Sequence, residues 1–336
     1  MPDTDVAGER RTDIVAIRPD PLRIDVFRNS GSAFDGGIEW RSEPYDYSAY
    51  LFRFGDIRGR GRADVIAVQP NPLRVVTWRN NGSAFDEGGE WHTESHDYSG
   101  HLFFAADIDG DGRTDLIAVR PNPLRIVAWR NHGTGLDSGR ERLIEPYDYS
   151  GYLFFAGDIE GDRRNGIVAI QRNPLRAVTW RNNGHGFDAG REWLTEPYDY
   201  SGHLVSVGDI DGDGRTDIVA VRQNPLRIVT WRNNGSGFDV GREWLTEPYD
   251  YIGYLLSVGD IDGDGKADIV GVHRTPLRMV TWRNNGNGFE GGREWFPPAG
   301  GPEIHSALSA LFGQPAPGPI TILMMAAASR QADTSI

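Results

Sequence analysis

The chain has 336 residues, a formal net charge of −13 and no cysteine, with 10 Trp, 14 Phe and 12 Tyr. Its length allows one large domain or two ordinary ones, and its aromatic content argues against disorder. The absence of cysteine excludes disulfide and thiolate chemistry, and the acidic balance excludes a phosphate-tracking nucleic-acid binder, which needs clustered Lys and Arg.

The chain opens with M-P-D-T-D-V-A-G-E-R-R, which lacks the charged-then-apolar plan of a signal peptide. No apolar run of about 18 residues follows anywhere, so a membrane span is not expected. From Asp5 onward one unit repeats. Its first aspartate recurs at Asp5, Asp56, Asp107, Asp158, Asp209 and Asp260, in unbroken steps of 51 residues. Pro-Leu-Arg recurs in step, ending at Arg23, Arg74, Arg125, Arg176, Arg227 and Arg278. W-R-N does the same at Trp78, Trp129, Trp180, Trp231 and Trp282, with Phe27 in the first copy.

The unit is clearest from copy five into copy six. R-E-W-L-T-E (Arg242–Glu247) is a short strand, and P-Y-D-Y-I-G a connection. Y-L-L-S-V-G-D-I (Tyr254–Ile261) is apolar and strand-like, and D-G-D-G-K-A-D a polar loop. I-V-G-V-H (Ile269–His273) is β-branched, R-T-P-L-R turns, M-V-T-W-R (Met279–Arg283) is a further strand, and N-N-G-N-G-F turns again. Runs such as I-V-A-V are apolar at consecutive positions, as in strands covered on both faces. Four short strands at this period predict an all-β fold, a β-propeller of six four-stranded blades. Residues 1–311 hold the six repeats and residues 312–336 a tail.

The chain begins inside the loop between the first and second strands of blade one. That blade therefore lacks its first strand, and a C-terminal segment must close the ring. Candidates are His305–Ala310, at the expected register, and P-I-T-I-L-M-M (Pro319–Met325).

The aspartate loop D-x-D-G-D-G-x-x-D presents carboxylates at positions 1, 3, 5 and 9, a hard-oxygen set that suits Ca²⁺. The complete copies are Asp107/Asp109/Asp111/Asp115, Asp209/Asp211/Asp213/Asp217 and Asp260/Asp262/Asp264/Asp268, which predicts about three structural calcium sites. Copy four retains Asp158, Glu160 and Asp162 but has Gly166 at position 9, so weak binding is expected there. Copy two has Arg58 and Arg60 at ligand positions, where a guanidinium can replace the ion. Copy one has Asp5, Ala7, Glu9 and Asp13. The loop is not an EF-hand, because position 12 is Ala118, Ala220 or Gly271 and a strand follows.

L-F-F-A-A-D-I-D-G-D-G-R-T-D-L-I-A-V (Leu102–Val119), like its counterparts in the other copies, resembles the FG-GAP (VCBS-type) repeat of integrin α-chain-like β-propellers, over residues 1 to about 311. The resemblance implies Ca²⁺ in the loop joining the first two strands of each blade, ligands on the opposite face, and an extracellular setting. Members include fungal propeller lectins that bind sugars between blades.

In that topology the N-P-L-R turns and the E-P-Y-D-Y-S-G connections share one face. The candidate ligand residues there are Tyr147, Asp148, Tyr149, Tyr198, Asp199, Tyr200, Tyr249, Asp250 and Tyr251, with Arg125, Arg176, Arg227 and Arg278. Aromatic faces and planar polar groups suit sugars. The competing reading is structural: Tyr packs between blades, Asp caps a turn and Arg pairs with an acid. The Trp residues are expected in the inter-blade core. The function expected is non-enzymatic, lectin-like, multivalent carbohydrate binding, with a glycan or cell-surface protein as partner. The alternatives are a protein-adhesion scaffold and, behind it, a polysaccharide lyase or hydrolase on a propeller frame. No copy carries an acid–base pair that the others lack.

Overall fold

A computed structural model describes residues 5–274, 277–295 and 321–323. They form six four-stranded antiparallel sheets, one per repeat. In blade five the strands are Leu204–Gly208, Asp217–Gln223, Leu226–Trp231 and Arg242–Glu247, hydrogen-bonded in chain order. The first strands of neighbouring blades, from blade two to blade six, contact one another and so line the axis. The fourth strands form the outer rim.

Burial explains the pattern. Ile218, Val219, Ala220 and Val221 of the second strand are all buried, because each side of the blade is covered by a neighbour. The aliphatic cluster between blades four and five joins Val168, Ile170 and Ala177 to Ile218, Ala220 and Trp231. Trp78, Trp129, Trp180, Trp231 and Trp282 are fully buried and belong to such clusters.

Two expected boundaries move. The N-P-L-R turn is shorter than the sequence suggests: Gln223 pairs with Leu226, leaving a two-residue Asn224–Pro225 turn. Leu226 is buried, so its place is in the ladder rather than the turn. The second strand starts at the ninth loop residue, Asp217, which pairs with Gly208.

The ring is closed by the C-terminal segment. Thr321–Leu323 lies antiparallel to Ile14–Pro19, with Val15 opposite Leu323 and Ile17 opposite Thr321, and becomes the first strand of blade one. This is the second of the two candidate segments; His305–Ala310 lies outside the described residues. Truncation after Gly300 removes three ladder positions, each worth about 1 kcal/mol. A fall in melting temperature of several degrees is expected by calorimetry, and an unchanged transition would mean the strand does not hold the ring.

Candidate functional site

The aspartate loops and the N-N-G turns meet on one face. In copy five Asp209 accepts hydrogen bonds from the amides of Gly212 (2.7 Å) and Gly214 (2.9 Å), which wraps the loop around its carboxylate. Both glycines have positive φ, +80° and +85°, a conformation side-chain-bearing residues rarely adopt. Asp217 takes the Ile210 amide at 2.7 Å and the Asn233 amide at 2.6 Å, tying the loop to the turn after the third strand.

Three of the four aspartates converge in each complete copy. Carboxylate oxygens of Asp107/Asp109/Asp115, Asp209/Asp211/Asp217 and Asp260/Asp262/Asp268 lie within 4.8 Å of one another. Position 5 lies outside these groups. Asp111, Asp213 and Asp264 turn to the side chain at position 7, with Arg113 at 2.6 Å, Arg215 at 2.8 Å and Lys266 at 2.8 Å. Burial, reinforced by the neighbouring aspartates, pushes Asp115 and Asp217 up to about 8 and Asp268 to about 7. Asp107, Asp209 and Asp260 are raised for the same reason. Carboxylates crowded so closely ionise readily only with a cation among them, and an all-oxygen set fits a hard divalent ion such as Ca²⁺.

The degenerate copies behave as their residues dictate. In copy two the Arg58 guanidinium lies 3.2 Å from Asp64, so the protein supplies its own cation. In copy four Arg163 occupies the position-6 glycine site at φ +70°. Glu160 pairs with Arg181 at 2.7 Å and Asp162 with Arg164, and Gly166 brings no carboxylate at position 9, so Asp158, Glu160 and Asp162 form no converging cluster among the described residues. In copy one Glu9 pairs with Arg11, while Asp13 takes the amides of Val6, Ala7 and Asn29.

The sequence reading missed the asparagine of W-R-N. Asn233 Nδ2 donates to the Thr216 carbonyl (3.2 Å) and, across the blade boundary, to the Ile159 carbonyl in the loop of blade four (2.8 Å). All six copies repeat the cross-blade bond, and Asn29 to Ile261 (2.7 Å) completes the circle. A second ring of six runs beside it, for example from the Thr216 amide to the Asp158 carbonyl. The signal was available: Asn persists at position 29 even where Phe27 replaces Trp.

The opposite face sorts the remaining candidates into two groups. Tyr147, Tyr198 and Tyr249 are 61, 61 and 60% exposed. Tyr149, Tyr200 and Tyr251 instead pack edge-on against Trp180, Trp231 and Trp282, at centroid distances of 5.0, 5.0 and 4.8 Å. Asp148, Asp199 and Asp250 are exposed and accept the backbone amide two residues on, as turn caps. Arg125, Arg176 and Arg227 pair with Glu141, Glu192 and Glu243 on the fourth strand, and Arg278 is exposed. The fourth strand also supplies a carboxylate to the core: Glu196 accepts from Trp231 Nε1 (3.1 Å) and the Gly241 amide (2.9 Å) of the next blade.

Four overlapping matches to the FG-GAP-like repeat cover residues 56–118, 107–169, 158–220 and 209–271, together well over half of the chain. The chain belongs to the FG-GAP-like repeat family. Among solved structures it is similar to a lectin from Agrocybe aegerita, described as specifically recognising non-reducing terminal N-acetylglucosamine. Identity is 21% and the TM-score 0.64, over 87% of this chain and 78% of that one. It is also similar to part of the Photorhabdus luminescens Tc holotoxin pore, at 18% identity and a TM-score of 0.51 over 81% of this chain. It spans only 14% of that much longer chain. These likenesses establish the fold. No curated protein matches the chain by sequence. Among the described residues no helix is long and apolar enough to cross a membrane.

Proposed function

We propose that this FG-GAP-like propeller is a non-enzymatic, calcium-stabilised module that binds glycans on the face opposite the aspartate loops. The observation that carries the reading is the repeated presentation of an exposed tyrosine beside an exposed aspartate. Tyr147/Asp148, Tyr198/Asp199 and Tyr249/Asp250 each directly precede, in the chain, the tyrosine that packs on a buried tryptophan. An exposed ring offers a flat apolar surface to the C–H patch of a sugar, and nearby carboxylates, amides and guanidinium groups suit its hydroxyls. Several weak sites on one rigid ring raise avidity without tight individual pockets. The fold likeness to a propeller lectin supports the same reading.

In this reading the metal loops are structural. Asp107/Asp109/Asp115, Asp209/Asp211/Asp217 and Asp260/Asp262/Asp268 hold the ions, while position 5 serves to close the loop. The ions cancel carboxylate repulsion at the blade ends and leave the other face free. Calcium occupancy at affinities typical of extracellular modules requires millimolar Ca²⁺, and hence an extracellular setting.

A second reading is protein adhesion by the same face. It is favoured by the inequality of the clefts: His96 and His101 stand in the third where Tyr147 and Tyr152 stand in the fourth. A glycan array in millimolar Ca²⁺, with Tyr198→Ala and Tyr249→Ala as variants, separates the two. Sugar binding that falls severalfold in the variants is expected. Binding that survives both substitutions would remove the site from this face, and a blank array on folded protein would favour adhesion.

A further inference from the structure

The inequality of the clefts is regular. It lies in one cross-strand pair, formed by the residue before the first strand and the residue opposite it near the end of the second. In blade five the register Leu204–Val221, continued by one residue, sets His203 against Arg222. Blade three sets His101 against Arg120 in the same way. Blades two and four instead set Tyr50 against Gln69 and Tyr152 against Gln171. Blade six is mixed, with Tyr254 opposite His273. Both members of the pair change together, so the clefts fall into two kinds that alternate from blade two to blade five.

The basic pairs are incompletely satisfied. Neither ring nitrogen of His203 has a hydrogen-bond partner, and Nδ1 of His101 has none. A shielded imidazole without partners is costly, whereas the tyrosine found in the other clefts fills the same place. Arg222 and Arg120 spend Nε on the carbonyls of Asn224 (3.1 Å) and Asn122 (3.0 Å). Neither is paired with a carboxylate among the described residues, although the adjacent Arg227 and Arg125 are each matched by a glutamate. The imidazole is fixed in place, 4.9 Å from the Tyr200 ring that itself rests on Trp231. Burial and the guanidinium groups of Arg222 and Arg227 lower the pKa of His203, so near pH 7 the imidazole is neutral while Arg222 carries the charge.

We propose that the clefts of blades three and five are subsites for sugars carrying a carboxylate, and that those of blades two and four take neutral sugars. This rests on the glycan reading above. A guanidinium with its terminal nitrogens unspent matches a carboxylate in geometry and charge. Exposed Tyr198, on the connection that leads to His203, supplies the apolar surface for the sugar ring.

The test is an NMR titration at low ionic strength with methyl β-D-glucuronide and methyl β-D-glucoside. The wild-type chain is compared with a variant carrying His101→Tyr, Arg120→Gln, His203→Tyr and Arg222→Gln. These pairs already occur in blades two and four, so the fold accommodates them. The glucuronide is expected to bind the wild type and to lose about tenfold in affinity in the variant, with the glucoside unchanged, as loss of a charged hydrogen bond predicts. The reciprocal variant Tyr152→His with Gln171→Arg is expected to gain glucuronide binding. Glucoside binding with no tighter glucuronide binding, or glucuronide binding indifferent to both variants, would overturn the inference and leave the glycan reading standing. Failure of both sugars on folded wild-type protein would overturn both.

Discussion

Chelating divalent cations at pH 8 is expected to lower the melting temperature by about 8 °C. Three sites with a Kd near 0.1 mM, in about 1 mM Ca²⁺, contribute roughly 1.4 kcal/mol each. For a chain of this size each kcal/mol shifts the midpoint by about 2 °C. The pH dependence provides the sharper check. Burial raises Asp115 and Asp217 to about 8 and Asp268 to about 7 in the folded, metal-free state. An acid raised on folding contributes stability that is complete below its ordinary value near 3.8 and is lost as pH climbs through the raised value. The chelated chain should therefore lose stability from about pH 4 to pH 8. Calcium acts in the opposite sense over the same window, because it binds the ionised carboxylates. Melting curves at pH 5 and pH 8, with and without chelator, should show a large calcium effect only at pH 8. Equal shifts at both pH values, or none at either, would mean the aspartate clusters do not hold the ion.

Much of this arrangement is legible in the sequence because the protein repeats itself. The 51-residue step, the apolar runs and the Gly/Asn turns fix six blades without reference to any relative. The aspartate loops are equally plain, since carboxylates at positions 1, 3, 5 and 9 have few other reasons to crowd together. What the sequence hides is direction. Tyr198 and Tyr200 are both tyrosines two residues apart on one connection, yet the first faces solvent and the second packs on Trp231. Composition cannot separate them, because the difference lies in which way the connection crosses to the next blade. Asp213 and Asp217 look equivalent in the motif for the same reason. The first is held by Arg215 and the second by the Ile210 and Asn233 amides. The ring of asparagine bonds is hidden differently. Its partners are 74 residues apart in five copies and 232 apart where the circle closes, and only a closed ring of blades brings them together.

Replacing Trp231 should have the largest effect of any single substitution in the blade core. The indole is fully buried between blades four and five, so Trp231→Ala is expected to cost about 3–5 kcal/mol by denaturant titration. Trp231→Phe isolates the polar part of that cost. The indole Nε1 donates to Glu196 at 3.1 Å, and removal of the donor leaves a buried carboxylate with one partner fewer. Removing one member of such a pair costs more than the pair contributes, about 1–3 kcal/mol. The first copy makes the same point from the sequence. Phe27 stands where the other copies have Trp, and the register that gives Glu43, Glu94, Glu145, Glu196 and Glu247 next gives Pro298. Donor and acceptor are missing from the same blade boundary. A glycine belongs to the same unit, since a Cβ at Gly241 would sit 2.5 Å from Nε1. The indole, the carboxylate and the glycine therefore act together. In a double-mutant cycle of Trp231→Phe and Glu196→Ala, the double variant should be more stable than the sum of the single losses predicts. If the phenylalanine costs the same with and without Glu196, the bond contributes nothing, and the joint loss in the first copy has no energetic cause.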